Sequence, residues 1–232
     1  MSAVTEGLDY ASRSYRDAYS RINGLVVVGE GLADRHFRLL ARAIPEDRGE
    51  LERLGAMEGC HARAFSGCGR HLGVTPDLQL AKRLFAPLHQ LFLACDRAAD
   101  LAGCLVIQGL VVECFAVAAY RHYLPVADSY AQPITAAVLQ DEAAHLHYAE
   151  AWLLAHLATV QPAVTAICRR ALPMALRILQ ALSGDMRAIG IDPLDLIVSF
   201  QALFQQSLET IGYEPGQARR LILRAVVSQP MS

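Results

Sequence analysis

Acidic side chains on apolar helical stripes constrain this chain more than any other feature of its sequence. Leu51, Leu54, Glu58, His61 and Phe65 follow steps of three and four, the spacing that lines up one face of an α-helix. A carboxylate and an imidazole thereby join a face that should be buried. Ile22, Val26, Glu30, Ala33 and Phe37 repeat the pattern, and Glu113 shares its face with Val106, Leu110, Ala116, Val117 and Tyr120. Ile134, Val138, Glu142, His145, Ala149 and Trp152 form a fourth such stripe. Four carboxylates and two imidazoles thus face a common interior. Unpaired carboxylates in a core cost several kcal/mol each, so they must take up protons or find cations.

Two histidines are too little positive charge for four glutamates, and a pair of divalent metals removes the deficit. Glu30, Glu58-x-x-His61, Glu113 and Glu142-x-x-His145 have the composition of a carboxylate-bridged di-metal site: one Glu from each of two helices and a Glu-x-x-His from each of two others. The i, i+3 spacing brings both side chains of each motif to one face. Carboxylates with one imidazole per metal suit iron or manganese. Glu followed by Glu-x-x-His occurs twice, at separations of 28 (30 to 58) and 29 (113 to 142), which reads as a pseudo-twofold bundle of two helix pairs. Chance supplies roughly 0.4 Glu-x-x-His in a chain of this composition, so the paired motif is the informative signal. One ambiguity remains: Asp141 also shares a face with His145, and the repeat separation of 28 favours it, whereas the Glu-x-x-His match favours Glu142. His36, His71, His89, His122, His147 and His156 are read as surface residues or as supports behind the ligands.

The remainder of the 232 residues fits an all-α protein of one domain. No alternation of period two marks a strand. Pro45, Gly73, Pro87, Pro125, Pro162, Gly190 and Pro215 punctuate helices expected at 15 to 43, 47 to 71, 77 to 98 (kinked near Pro87), 102 to 123, 133 to 159, 163 to 188 (bent at Pro173), 194 to 211 and 217 to 227. Residues 1 to 12 and 228 to 232 read as poorly ordered tails. A net charge of -2 offers no basic stripe for nucleic acid. Cys60, Cys68, Cys95, Cys104, Cys114 and Cys168 lack CxxC spacing and point to a reducing cytoplasm. The N-terminus shows no export pattern. Residues 101 to 120 are long enough to cross a bilayer, but Gln108 and Glu113 near the centre argue against a transmembrane segment.

At these residues the chain resembles the cyanobacterial-type aldehyde-deformylating oxygenases, or aldehyde decarbonylases, of the ferritin-like superfamily. The resemblance runs from about residue 9 to 227 through "YRDAYSRIN" (15 to 23), "GE" (29 to 30), "MEGCH" (57 to 61), "CLVIQGLVVECFAVAAY" (104 to 120), "YLPVADSYA" (123 to 131) and "DEAAH" (141 to 145). It implies a ferritin-like helical bundle with additional helices around a four-helix di-metal core. The family's iron ligands fall on Glu30, Glu58, His61, Glu113, Glu142 and His145, which favours Glu142 over Asp141. Asp141 and Gln108 are then expected as supports, and Leu25, Val26, Phe65, Phe85, Phe115, Tyr120 and Tyr123 as walls of a substrate tunnel. The resemblance further implies two iron ions, O2 as co-substrate and a long-chain fatty aldehyde, giving an alkane or alkene one carbon shorter plus formate. Electrons would come by NADP/ferredoxin-linked reduction, an acyl carrier protein reductase would supply the aldehyde transiently, and the enzyme would be a cytoplasmic monomer. Ferroxidase or iron-binding function on the same ligands, or a di-metal oxidase that binds fatty acid, are the alternatives.

The chain departs from the family's pattern in three places. Val28 stands in "VGE" where an acid is common, Ala143 follows Glu142 where tyrosine is usual, and "AQPITAAVLQ" (131 to 140) replaces a more charged stretch. None of these removes an expected ligand.

Overall fold

The computed structural model describes residues 7–227. Its helices are α1 (Arg13–Ala43), α2 (Arg48–His71), α3 (Leu78–Arg97), α4 (Leu101–Leu105), α5 (Glu113–Tyr123), α6 (Ala131–Ala181), α7 (Ser183–Ala188), α8 (Pro193–Thr210) and α9 (Pro215–Val227). A π-helical segment, Val106–Val112, joins α4 to α5, and short 3-10 turns at Pro45–Asp47 and Leu124–Val126 precede α2 and the approach to α6.

Local chemistry sets most helix ends. Ser12 Oγ accepts from the Tyr15 backbone N–H, and Asp77, Asp100 and Asp192 each accept from the first turn of α3, α4 and α8. Such side chains satisfy the donors that a helix start leaves unpaired. Asp128 serves α6 in the same way, accepting from the N–H groups of Tyr130 and Ala131 at 2.9 and 3.1 Å. Gly73, Gly190 and Gly212 follow α2, α7 and α8 with φ of +63°, +86° and +104°, a left-handed conformation that favours glycine.

Four pieces enclose the interior. α1 packs on α2 and α3, the π segment and α5 pack on α6, and α2 also meets α6. α8 covers α5, and α9 rests on α6 and α8. Phe37, Leu51, Leu54, Phe92, Ile107 and Leu110 are among the large side chains wholly buried at these contacts. Leu101–Val126 is apolar and long enough to cross a membrane, but 83% of its apolar window is buried inside the protein, as in a core helix. Ala131–Ala181 meets the same length and composition test with 22% of its window buried; residues on both sides of that window, Glu142 and His145 before it and Leu172 and Leu179 after it, are packed in the bundle.

The helix boundary expected at Pro162 needs correction. α6 is continuous from 131 to 181 and does not end at 159; the break falls at Leu182, inside the helix expected at 163 to 188. A proline removes one helical donor and crowds the carbonyl four residues back. Ala158 and Pro162 are both exposed, so water can satisfy that carbonyl, while buried Leu153, Val164, Ile167 and Cys168 anchor the helix on either side. Pro87 lies within the single helix α3, as expected from the sequence. The single helix expected at 102 to 123 is interrupted by seven residues of π-helix. Residues 1–6 and 228–232 of the expected tails lie outside the described residues; Tyr10, in the described part, donates from its hydroxyl to the Val126 carbonyl at 3.2 Å.

Candidate metal centre

Glu30 from α1, Glu58 and His61 from α2, Glu113 from the start of α5, and Glu142 and His145 from α6 converge in the middle of the bundle. All six are at most 5% exposed. Their ligand atoms fall into two groups, each within 4.8 Å: Glu30, Glu58, His61 and Glu142 in one, and Glu58, Glu113, Glu142 and His145 in the other. Glu58 and Glu142 belong to both. Each group thus has two shared carboxylates, one carboxylate of its own and one imidazole, the donor set of a bridged pair of metals.

Both imidazoles turn Nδ1 inward. His61 Nδ1 lies 3.4 Å from Glu30 Oε2, 3.3 Å from Glu58 Oε2 and 3.6 Å from Glu142 Oε1. His145 Nδ1 lies 3.0 Å from Glu142 Oε2, 3.1 Å from Glu58 Oε1 and 3.6 Å from Glu113 Oε2. Glu30 Oε2, His61 Nδ1 and Glu142 Oε1 are buried and have no hydrogen-bond partner. Three orphaned acceptor-capable atoms facing one another are a costly arrangement for a core and a natural one for a cation. The residues therefore fit a di-metal site.

The electrostatics agree. Burial, followed by the neighbouring carboxylates, raises Glu30 and Glu142 well above the ordinary glutamate range. Burial also acts to raise Glu58, but its close polar contacts with Glu30, His145 and His61 outweigh it and hold Glu58 low. Burial disfavours the imidazolium of His145, yet Glu113, Glu142 and Glu58 raise it far above the usual histidine range. Without metal, protons neutralise the cluster.

Side chains behind the cluster hold it in register. Asp141 Oδ2 lies 3.1 Å from His61 Nε2, so Asp141 on α6 supports the histidine of α2 and not that of its own helix. Its side chain is 48% exposed against 1% for Glu142, which separates the two neighbouring acids. Gln108 Nε2 donates to Glu113 Oε1 at 2.8 Å. These residues are five apart, and the π-helical pattern of bonds from i+5 back to i is what brings them together: the Glu113 N–H also bonds to the Gln108 carbonyl. The Tyr120 hydroxyl donates to Glu30 Oε1.

A largely apolar pocket adjoins the cluster and includes Glu30, Glu58, Glu113 and Glu142 in its wall. Leu25, Val26, Phe65, Phe85, Phe115, Tyr120 and Tyr123 all line it. Leu179, Met186, Ile191 and Leu196, from the C-terminal third, also contribute and carry no sequence signal beyond ordinary core hydrophobicity. His147 and Glu150, neighbours of the motif on α6, are absent from both the pocket and the cluster.

Residues 12–227 match the family model for long-chain fatty aldehyde decarbonylase. The chain belongs to that family. A solved structure from Synechococcus, described as protein 19 with aldehyde deformylating oxidase activity, is similar across 94% of this chain and 100% of its own, at 62% identity and a TM-score of 0.93. The family's ferritin-like all-α bundle is therefore also the fold of this chain. All six cysteines are free, Cys60 exposed and the other five buried.

Proposed function

We propose that this chain is an aldehyde-deformylating oxygenase that converts a long-chain fatty aldehyde, with O2 and external electrons, into a hydrocarbon one carbon shorter plus formate. The observation that carries the reading is the apolar pocket that shares its wall with four glutamates. Its wall is almost wholly apolar apart from those glutamates, as a site for an alkyl chain beside a metal centre requires, and a ferroxidase has no use for it.

Glu30, Glu58, His61, Glu113, Glu142 and His145 would hold two iron ions, with Glu58 and Glu142 in both groups. Bound there, the iron would supply O2 reduction and Lewis acidity at the aldehyde carbonyl. The chain's own residues do the rest. Leu25, Val26, Phe85 and Phe115 bury the alkyl chain and exclude water, which protects reactive species from side reactions. Tyr120, Gln108 and Asp141 orient Glu30, Glu113 and His61 through the bonds described above. Balance sets the remaining demand: aldehyde and O2 require four electrons and three protons to yield hydrocarbon, formate and water. A ferredoxin would supply the electrons, and an acyl carrier protein reductase the aldehyde, to a cytoplasmic monomer. The free cysteines agree with a reducing compartment.

The test is anaerobic loading with Fe(II), then aldehyde, reductant and O2, with detection of both products. Alkane and formate in equal amounts are expected. Bound iron with neither product would overturn the oxygenase reading and leave the metal site standing.

A further inference from the structure

One histidine outside the cluster is completely enclosed. His36 on α1 is 3% exposed, and its ring stacks on Phe92 with centroids 3.7 Å apart. Its Nδ1 lies 2.6 Å from Gln108 Oε1, and its Nε2 lies 2.9 Å from His89 Nδ1. Gln108 is wholly buried and donates to Glu113, while His89 on α3 is half-buried and reaches toward solvent. A continuous line of hydrogen bonds therefore runs from the surface of α3 through α1 and the π segment to Glu113.

The direction of every link follows from the last one. A carboxylate oxygen that is to serve a metal ligand accepts, and Gln108 turns its NH2 to Glu113 and its carbonyl to His36. His36 must then carry its proton on Nδ1, which leaves Nε2 as an acceptor for the Nδ1–H of His89. His36 is thus needed neutral and in one tautomer, and His89 needs a proton on Nδ1. Burial pushes His36 down to about 3, and burial together with Arg35 lowers His89, so both rings remain neutral. The amide has no labile proton to pass on. The line orients and polarises Glu113.

We propose that His36 and His89 are positioning residues for metal binding, which act through Gln108 to tie up Glu113 Oε1 and leave Oε2 as the ligand atom. Glu113 Oε2 is the oxygen that faces His145 Nδ1, at 3.6 Å. Supports of this kind fix both the rotamer and the electron density of a ligand. The proposal rests on Glu113 being a metal ligand.

Two measurements test it. In the metal-free, 15N-labelled full chain, long-range proton–nitrogen correlations should show His36 as the Nδ1–H tautomer, and Gln108→Leu should abolish that preference. In Co(II) titrations followed by visible absorption, His36→Leu should weaken binding about 10- to 100-fold. His36→Asn, whose side-chain amide N–H can occupy the place of the imidazole Nδ1–H, should recover most of the loss. A wild-type His36 in the Nε2–H form overturns the proposal, even if His36→Leu fails to fold. A folded His36→Leu that binds Co(II) as tightly as wild type also overturns it. A wild-type chain that binds no Co(II) removes the metal reading and the proposal with it, and the tautomer result then distinguishes that failure from a wrong hydrogen-bond assignment.

Discussion

Glu58 and Glu142 each belong to both ligand groups, whereas Glu30 and His61 serve one and Glu113 and His145 the other. Loss of a shared carboxylate should therefore cost both ions. Glu142→Ala is expected to bring bound iron from about two per chain to nearly none, while Glu30→Ala keeps more. Metal analysis after gel filtration measures this, and two irons retained by Glu142→Ala would sink the assignment. Protons occupy the same groups when metal is absent, so affinity must depend on pH. Glu30 and Glu142 are raised, and each must lose its proton to become a ligand. Binding is expected to tighten as pH rises and to release protons. Calorimetry in two buffers of different ionisation enthalpy reads that release directly; identical heats would contradict it.

The π segment and the prolines show which element-level features depend on packing. Gly109 lies where an added Cβ would run into the Ala149 side chain, so the segment can approach α6 only with glycine there. Gly109→Ala is expected to cost about 1–3 kcal/mol through overpacking, measured by urea unfolding. Pro162→Ala should act in the other direction, restoring a helical donor in α6 and adding up to about 3 kcal/mol. A lower urea midpoint would mean that the proline is needed. These two positions also mark where the sequence is hard to read. The ends of α1, α3 and α8 fall within two residues of the expected ones, and Gly190 follows α7 as its stop, because helix termination is local chemistry. Pro162 was misread because its local cost competes with burial of Val164 and Ile167, which only the tertiary fold reveals. In Val106–Val112 almost every side chain is apolar, so a change of helical period leaves no polar residue out of phase; only the five-residue interval from Gln108 to Glu113 hints at it. The six inward Glu and His residues stood out for the opposite reason, as polar exceptions on apolar stripes. Leu179, Met186, Ile191 and Leu196 stood out not at all, since an aliphatic residue that lines a pocket looks like one that fills a core.

Metal binding should also act on the molecule as a whole, because the ligands come from α1, α2, α5 and α6 and an ion held by them ties together elements far apart in sequence. The raised groups set the behaviour of the metal-free chain. Glu30 and Glu142 bind protons more tightly folded than unfolded, so the stability they contribute is complete below their ordinary value of 4.5 and is lost as pH rises through their folded values. His145, raised from 6.5, has the same sign, with its contribution lost at still more alkaline pH. Glu58, which is lowered, opposes them only in acid, where its contribution is lost as pH falls below 4.5. The metal-free fold should therefore lose stability progressively as pH rises above 4.5. Metal reverses that slope, since a cation replaces the protons and its affinity grows as they leave. At a free concentration of 100 times Kd, one bound ion adds about 2.7 kcal/mol, or roughly 5 to 11 °C in Tm for a chain of this size. Thermal unfolding with Mn(II), a redox-inert probe in these conditions, should show a gap between loaded and metal-free protein that widens from about pH 6 to about pH 8.5. A gap that narrows over that interval would mean that the buried carboxylates are not the groups the metal displaces protons from.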